Sequence, residues 1–457
     1  MKKQLQLSIC ILVIILMFIG SVAADPGQVP ITKSLMKAGP LKGPLDATSL
    51  QPFATESGKV TLSVDGLGIT SGSGTIQVEK PAGATVRKAY LASASTGGSG
   101  YMIPDGDVKI DGTSVIWNLQ KDYLNSINSY NYLADVTDIV KAKIDAAPAG
   151  RVDFIIDETG AIDGEILAVI FDDPAKTTDN TVVLFFGAQD VNGDSFNIGL
   201  ADPVDLSDPN FGLDFSLGIS FGWQGFDQYS IVDVNGQRLT MSAGSYDDGQ
   251  EADGALLTVG GLDDSTANPA DPNALPNGDS RYDDELYSLL PFVANGDTLI
   301  TVDTSNPSND DNIFFAALNA RSATAISGEG ILLSPVNAEN PIHTQHTVTA
   351  KVQDDNGAAV PGKSVTIMVI SGPNAGVTGS GVTDNFGEVA LTYTGNVVGT
   401  DVIEATFVDS TGKTITSNQV TKKWIDSVVP APEFPTVLVP VGLIGLVGLF
   451  IIASRRW

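Results

Sequence analysis

The residues best suited to chemistry are carboxylates crowded into one stretch. Between Ser245 and Glu285 there are eleven acids and one base, Arg281. They gather as Asp247-Asp248, Glu251 and Asp253, then Asp263-Asp264, then Asp279 and Asp283-Asp284-Glu285, with Gly249 and Gly254 between them. Oxygen-rich loops broken by glycine suit Ca2+, which takes about six to eight oxygen ligands in flexible geometry. The candidate ligands of such a structural ion are Asp247, Asp248, Asp253, Asp263, Asp264, Asp283 and Asp284. A solvated acidic loop accounts for the same composition, and both readings stay open. Asp190-Val-Asn-Gly-Asp194 and Asn309-Asp-Asp-Asn312 are smaller versions of the pattern. Neither completes an EF-hand loop, because no Gly and closing Glu fall at the required places.

Other catalytic machinery is sparse. The chain has two histidines, His343 and His346, three apart. On a strand that spacing points them to opposite faces, so a shared metal is not expected and both read as surface residues. One Gly-x-Ser-x-Gly string, Gly218-Ile-Ser-Phe-Gly222, lies inside an alternating β run. A nucleophile elbow needs a strand, a sharp turn and a helix, and no helix signal follows. No phosphate loop, dinucleotide fingerprint or His-Glu-x-x-His occurs. The many aspartates leave room for a carboxylate pair that hydrolyses glycosides, with Trp117 or Trp223 lining the cleft, and only the fold sets such a spacing. No cofactor is required by any motif.

Composition narrows the partners. Lys and Arg number 25 against 54 Asp and Glu, for a net charge of −29. Charged residues total only 17%, so bases are scarce rather than acids abundant. A nucleic-acid binder needs a basic face, and none is available. Gly and Pro, at 48 and 24, suit a turn-rich β protein.

The ends set the compartment. Lys2 and Lys3 precede an apolar run from Leu7 to Gly20, and Ser21-Val-Ala-Ala24 supplies small residues for cleavage. Residues 1–24 read as a secretory signal peptide. The lone cysteine, Cys10, falls inside it, so the exported chain holds no thiol for a disulfide or a zinc site. Residues 25–54 form a Pro/Gly-rich leader. At the other end, residues 435–454 are uncharged and long enough to cross a hydrocarbon core of about 30 Å. Arg455 and Arg456 follow in a basic tail, 455–457, which the positive-inside rule keeps in the cytoplasm. The linker 425–434 holds Pro432-Glu433-Phe434. This motif, one apolar run and a terminal Arg pair, in that order, resemble the PEF-CTERM sorting signal of archaea. The resemblance covers about 26 residues. It implies recognition by an archaeosortase, cleavage near the motif and transfer of the new carboxyl end to a membrane lipid. A plain single-pass anchor is the other reading, and both place the protein on the outer face of the cell membrane.

Between the ends the chain reads as all-β. Residues 55–325 carry many short strands and one helix, after Asp135 as N-cap, with Val136, Ile139, Val140 and Ile144 at helical spacing. Asp111-Gly112 between Asp107–Ile110 and Val115–Trp117 predicts a hairpin. The expected architecture is a large β-sandwich or jelly roll, either one domain or two split near 176. Residues 329–424 show about seven strands with turns every 8–12 residues, as in an immunoglobulin-like sandwich. Gly372-Pro-Asn374, Thr383-Asp384 with Gly387, and Gly399-Thr-Asp-Val-Ile-Glu-Ala-Thr-Phe407 carry a resemblance to the bacterial Ig-like domain of the invasin and intimin type. That family implies a disulfide-free spacer. The sequence therefore predicts an exported, membrane-anchored adhesin or envelope protein with a cell-surface or envelope ligand, and as the alternative an extracellular carbohydrate-active enzyme using aspartates of residues 55–325.

Overall fold

A strand buried on one face alternates apolar and polar residues, whereas one buried on both reads as an unbroken apolar run. Three runs here are of the second kind: 166–171, 182–186 and 313–318. The computed structural model describes residues 49–68, 72–125, 127–190, 192–220, 230–243, 256–267, 285–309 and 312–426, and shows what covers these runs.

Four sheets stack face to face. The first, an outer sheet, runs β3 (Gly72–Lys80), β9 (Gly150–Glu158), β5 (Val108–Ile110), β6 (Thr113–Ser114). The second runs β2 (Val60–Leu67), β10 (Ile162–Asp172), β4 (Thr85–Ser95), β8 (Tyr130–Asp135), β7 (Gln120–Leu124). The third runs β1 (Gln51–Gly58), β11 (Asn180–Phe186), β19 (Asn312–Arg321), β13 (Gly212–Ser220), β16 (Leu257–Val259), with β17 (Leu286–Ser288) also on β13. The fourth runs β15 (Gln237–Ala243), β14 (Ser230–Val234), β18 (Leu299–Ser305), β12 (Ser195–Leu200), β20 (Ala325–Ile326). Three cores fill the gaps. On β10, Leu167, Val169 and Phe171 pack with Ile76 and Phe154 of the first sheet. Ile166, Ala168 and Ile170 of the same strand pack with Val182, Leu184 and Phe315 of the third. On β11, Val183 and Phe185 turn the other way, to Phe196 and Ile300 of the fourth. Alternation persists in these strands, but both of its sides are dry.

The middle core carries one polar lock. Asn131 and Asn312 exchange side-chain hydrogen bonds (3.3 and 3.1 Å), Asn131 Nδ2 donates to the Gly187 carbonyl, and Asn312 Nδ2 donates to Ser220 Oγ. This ties β8 of the second sheet to β19 and β13 of the third.

Residues 51–54, expected in the leader, form the start of β1. Pro52 looks like a breaker, yet β1 is the edge of its sheet and carries a bulge between Pro52 and Ala54, where proline is tolerated. The Asp111-Gly112 turn has positive φ at both residues, 48° and 76°, as expected, but its second strand stops at Ser114 rather than reaching Trp117. The helix α1 (Thr137–Ala146) has Val136 at its cap position, not Asp135. Asp135 still accepts the Thr137 N–H at 2.9 Å.

After Ser327-Gly328, a two-residue link, the chain enters a second unit. One sheet holds β21 (Glu329–Ser334), β23 (Gln345–Asp354) and β26 (Glu388–Thr394). The other holds β22 (Asn337–Pro341), β29 (Val420–Ile425), β27 (Gly399–Val408), β24 (Ser364–Ser371) and β25 (Thr378–Val382), with β28 (Thr414–Thr416) on β27. The first strand splits between the sheets, and β22 runs parallel to β29. This is an immunoglobulin-like sandwich. Its interior is organised by Asp401, whose fully buried carboxylate accepts four hydrogen bonds: from Asn374 N (2.9 Å), Asn374 Nδ2 (2.7 Å), Tyr393 OH (3.0 Å) and Trp424 Nε1 (2.7 Å). Lys422, its cross-strand neighbour, sits 4.7 Å above the Trp424 ring. Burial pushes the Lys422 ammonium below its ordinary pKa, while Glu339 and Asp401 oppose that shift. Asp401→Ala strands four donor groups, two of them buried, so it is expected to destabilise the protein by about 3–5 kcal/mol, read as a shift in the chemical denaturation midpoint.

Candidate functional site

Five of the seven candidate calcium ligands, Asp247, Asp248, Asp253, Asp283 and Asp284, lie outside the described residues. The other two are engaged elsewhere. Asp263 receives both terminal guanidinium nitrogens of Arg151, and this pairing holds its carboxyl below the ordinary range. Asp264 accepts the Gly261 N–H at 2.6 Å. Among the described residues no group of three metal-ligating side chains converges. The sorting residues Pro432, Glu433, Phe434, Arg455 and Arg456 also lie outside the described residues, as do the signal segment and the C-terminal apolar run. No described helix is long and apolar enough to cross a membrane.

The isolated catalytic types resolve into structural roles. Ser220 is buried at the end of β13 and accepts from Asn312, and the part of its string among the described residues, 218–220, is strand. Trp117 is 4% exposed and packs on Tyr132 at 5.3 Å, inside the first core. Trp223 lies outside the described residues. His343 is exposed and pairs with Asn396 at 3.0 Å. His346 corrects the expectation of a surface histidine: it is 7% exposed and meets the Tyr393 ring edge-on at 6.0 Å. Burial first, and Lys422 second, hold its pKa below the ordinary value. A strand position facing the core overrides the polarity of the residue type.

Sequence reading missed one deep carboxyl pair. Glu158 closes β9 and Glu165 lies in β10, both buried between the first two sheets. The two carboxyls face each other closely enough to interact, and Ser93 Oγ donates to Glu165 at 3.1 Å. Burial raises Glu165 to about 7, while Glu158 and Ser93 pull it down.

The open site lies where the distal stack meets the immunoglobulin-like unit. Gly328, at φ +72°, turns the chain, and its N–H donates to Asp355 at 3.4 Å. Lys413 Nζ donates to the Pro52 carbonyl at 2.6 Å, and Asn197 to Asn356 at 3.2 Å. Lys363 and Ser410 hold Glu329 at the start of β21. These contacts frame a cleft of about 620 Å³ whose walls include Phe53, Glu56, Tyr90, Asp355, Asp409 and Lys413. The Phe53 and Tyr90 rings meet edge to face at 5.1 Å. Burial raises the carboxyl of Glu56 in spite of Arg87, and burial also raises Asp355. No sequence signal marks this cleft, because its walls come from separate stretches of the chain.

No family model matches the chain, and no curated protein matches it. Among solved structures, the fibronectin(III)-like modules of Clostridium thermocellum CbhA align at 20% identity over 21% of this chain and 93% of that one, with a TM-score of 0.16. The D00-D0 domain of intimin aligns at 15% identity over 27% and 72%, with a TM-score of 0.17. The PKD domain of an M14-like peptidase from Thermoplasmatales archaeon SCGC AB-540-F20 aligns at 20% identity over 21% and 92%, with a TM-score of 0.16. Overlaps of this size add nothing to the fold described above.

The Glu165 carboxyl makes stability depend on pH. With its folded pKa raised from 4.5 to about 7, the folded chain binds this proton more tightly than the unfolded chain, so stability is lost as pH rises through about 7. Glu165→Gln removes the charged form. The variant is expected to exceed the parent by about 3 kcal/mol at about pH 8 and to match it near pH 4.5, measured by urea denaturation at both values.

Proposed function

We propose that this protein is exported and tethered to the outer face of an archaeal cell membrane, where the four-layer stack presents a binding surface and the immunoglobulin-like unit serves as its spacer. The observation that carries the reading is the order of parts. The last strand of the spacer ends at Ile425, Pro432-Glu433-Phe434 follows, and the uncharged run 435–454 and Arg455-Arg456 come directly after it. An archaeosortase would read this signal, cut near the motif and pass the new end to a membrane lipid. The interior of the protein supports a binding or structural role. The buried positions of Ser220 and Trp117, and the mutual contact of Glu158 and Glu165, leave these residues as parts of packed cores. The absence of a thiol outside the signal segment fits a spacer that holds its shape by Asp401 and apolar packing alone.

Protease added to intact cells is expected to degrade the stack and the spacer. Intact-mass analysis of the protein from native membranes is expected to show a start near Asp25 and a carboxyl end near the motif with an added lipid, and any retained calcium appears in the same spectrum. Full-length chain recovered from the cytosol would overturn the reading.

A further inference from the structure

The cleft between the stack and the spacer has no role in the tethering scheme, yet it is built for a charged guest. Five acids line it, Glu56, Glu329, Asp354, Asp355 and Asp409, against Lys88 and Lys413. Both lysines are committed, Lys88 to Asp135 at 3.6 Å and Lys413 to the Pro52 carbonyl. Glu56 is answered by Arg87 and Glu329 by Lys363, whereas Asp354, Asp355 and Asp409 have no ion-pair partner among the described residues. Negative charge is therefore left over.

A second, independent feature points into the same space. Tyr90 is 8% exposed and lines the cleft, and its hydroxyl has no hydrogen-bond partner among the described residues. The hydroxyl oxygen keeps contact with the open space of the cleft, so a guest seated there can supply the partner that the protein does not. The Phe53 ring beside it adds an aromatic surface of the kind that attracts ammonium and guanidinium groups. Along one wall runs β1, the edge strand of the third sheet, whose outer backbone faces no other strand of that sheet. Lys413 and Arg87 take the Pro52 and Ser57 carbonyls, and the stretch between them, 53–56, is the part of this edge that suits an extended chain.

We propose that this cleft binds an extended peptide segment of a partner protein through a lysine or arginine side chain, with the cation between the Phe53–Tyr90 rings and Asp355 and the peptide backbone along β1. The volume, about 620 Å³, lies within the range of about 300–1,000 Å³ typical of ligand clefts. A ligand seated there touches both the stack and the spacer, so binding also stiffens their junction. The proposal deepens the surface-binding reading by naming a partner class. It rests on that reading only for where the partner is met, and binding by purified protein succeeds or fails independently of cellular location.

The test is fluorescence anisotropy of labelled, end-capped tetralysine with the full chain in detergent at low salt. Tetraglutamine and cellotetraose serve as comparators. Saturable binding of tetralysine is expected, with neither comparator competing. Tyr90→Phe removes only the hydroxyl and is expected to weaken binding about fivefold. Asp355→Asn is expected to do the same, while Asp205→Asn, at an exposed aspartate outside the cleft, leaves affinity unchanged. Thr414→Lys, an exposed position on the rim, is expected to weaken binding at least tenfold and covers the case in which a buried variant fails to fold. Equal losses for Asp355→Asn and Asp205→Asn would mark diffuse attraction to an acidic protein and overturn the proposal. So would unchanged affinity in folded Tyr90→Phe and Thr414→Lys, or binding of cellotetraose without tetralysine.

Discussion

Covering both faces of β10, β11 and β19 is the constraint around which the distal stack is organised. These strands present apolar side chains to two sides, so a single sandwich leaves one side in water. Two sandwiches joined by a third core satisfy all three strands at once. The fit is close. A side-chain carbon at Gly218 would lie 2.5 Å from Ile166 Cδ1, across the gap between the second and third sheets. Within this gap the Asn131–Asn312 pair acts as a selector: apolar packing alone tolerates sliding, but a reciprocal amide pair is satisfied in one register.

Two buried acidic centres show opposite solutions to one problem. Asp401 gathers four donors from three segments, including the Asn374 turn and the last strand. Glu165 takes one donor, Ser93 Oγ, faces Glu158, and meets burial by holding its proton. The first arrangement stabilises the spacer through compensation, whereas the second makes the junction of β9 and β10 sensitive to pH.

Much of this architecture was legible in the residues. The short apolar runs marked strands, Asp111-Gly112 marked its turn, and Gly372-Pro-Asn374 together with Gly399-Thr-Asp401 marked the immunoglobulin-like unit, where Asn374 and Asp401 prove to touch. What escaped was decided by partners distant in sequence. Pro52 concealed β1 because edge position, not local preference, permits it. His346 reads as polar until its strand turns it toward Tyr393. The cleft unites residues near 53, 90, 355 and 410, and no local pattern links them. The acidic stretch advertised itself most loudly, yet its described members Asp263, Asp264 and Glu285 serve a guanidinium, a backbone amide and a tyrosine hydroxyl.

The parallel pairing of β22 with β29 has a mechanical corollary. The chain enters the spacer through β21 and β22 and leaves it through β29. Tension drawn between the two ends pulls these neighbouring parallel strands in opposite directions along their length. Their hydrogen bonds, from Asn337↔Thr421 to Pro341↔Ile425, then carry the load together instead of opening one after another. A linkage loaded in shear resists rupture far better than one that unzips.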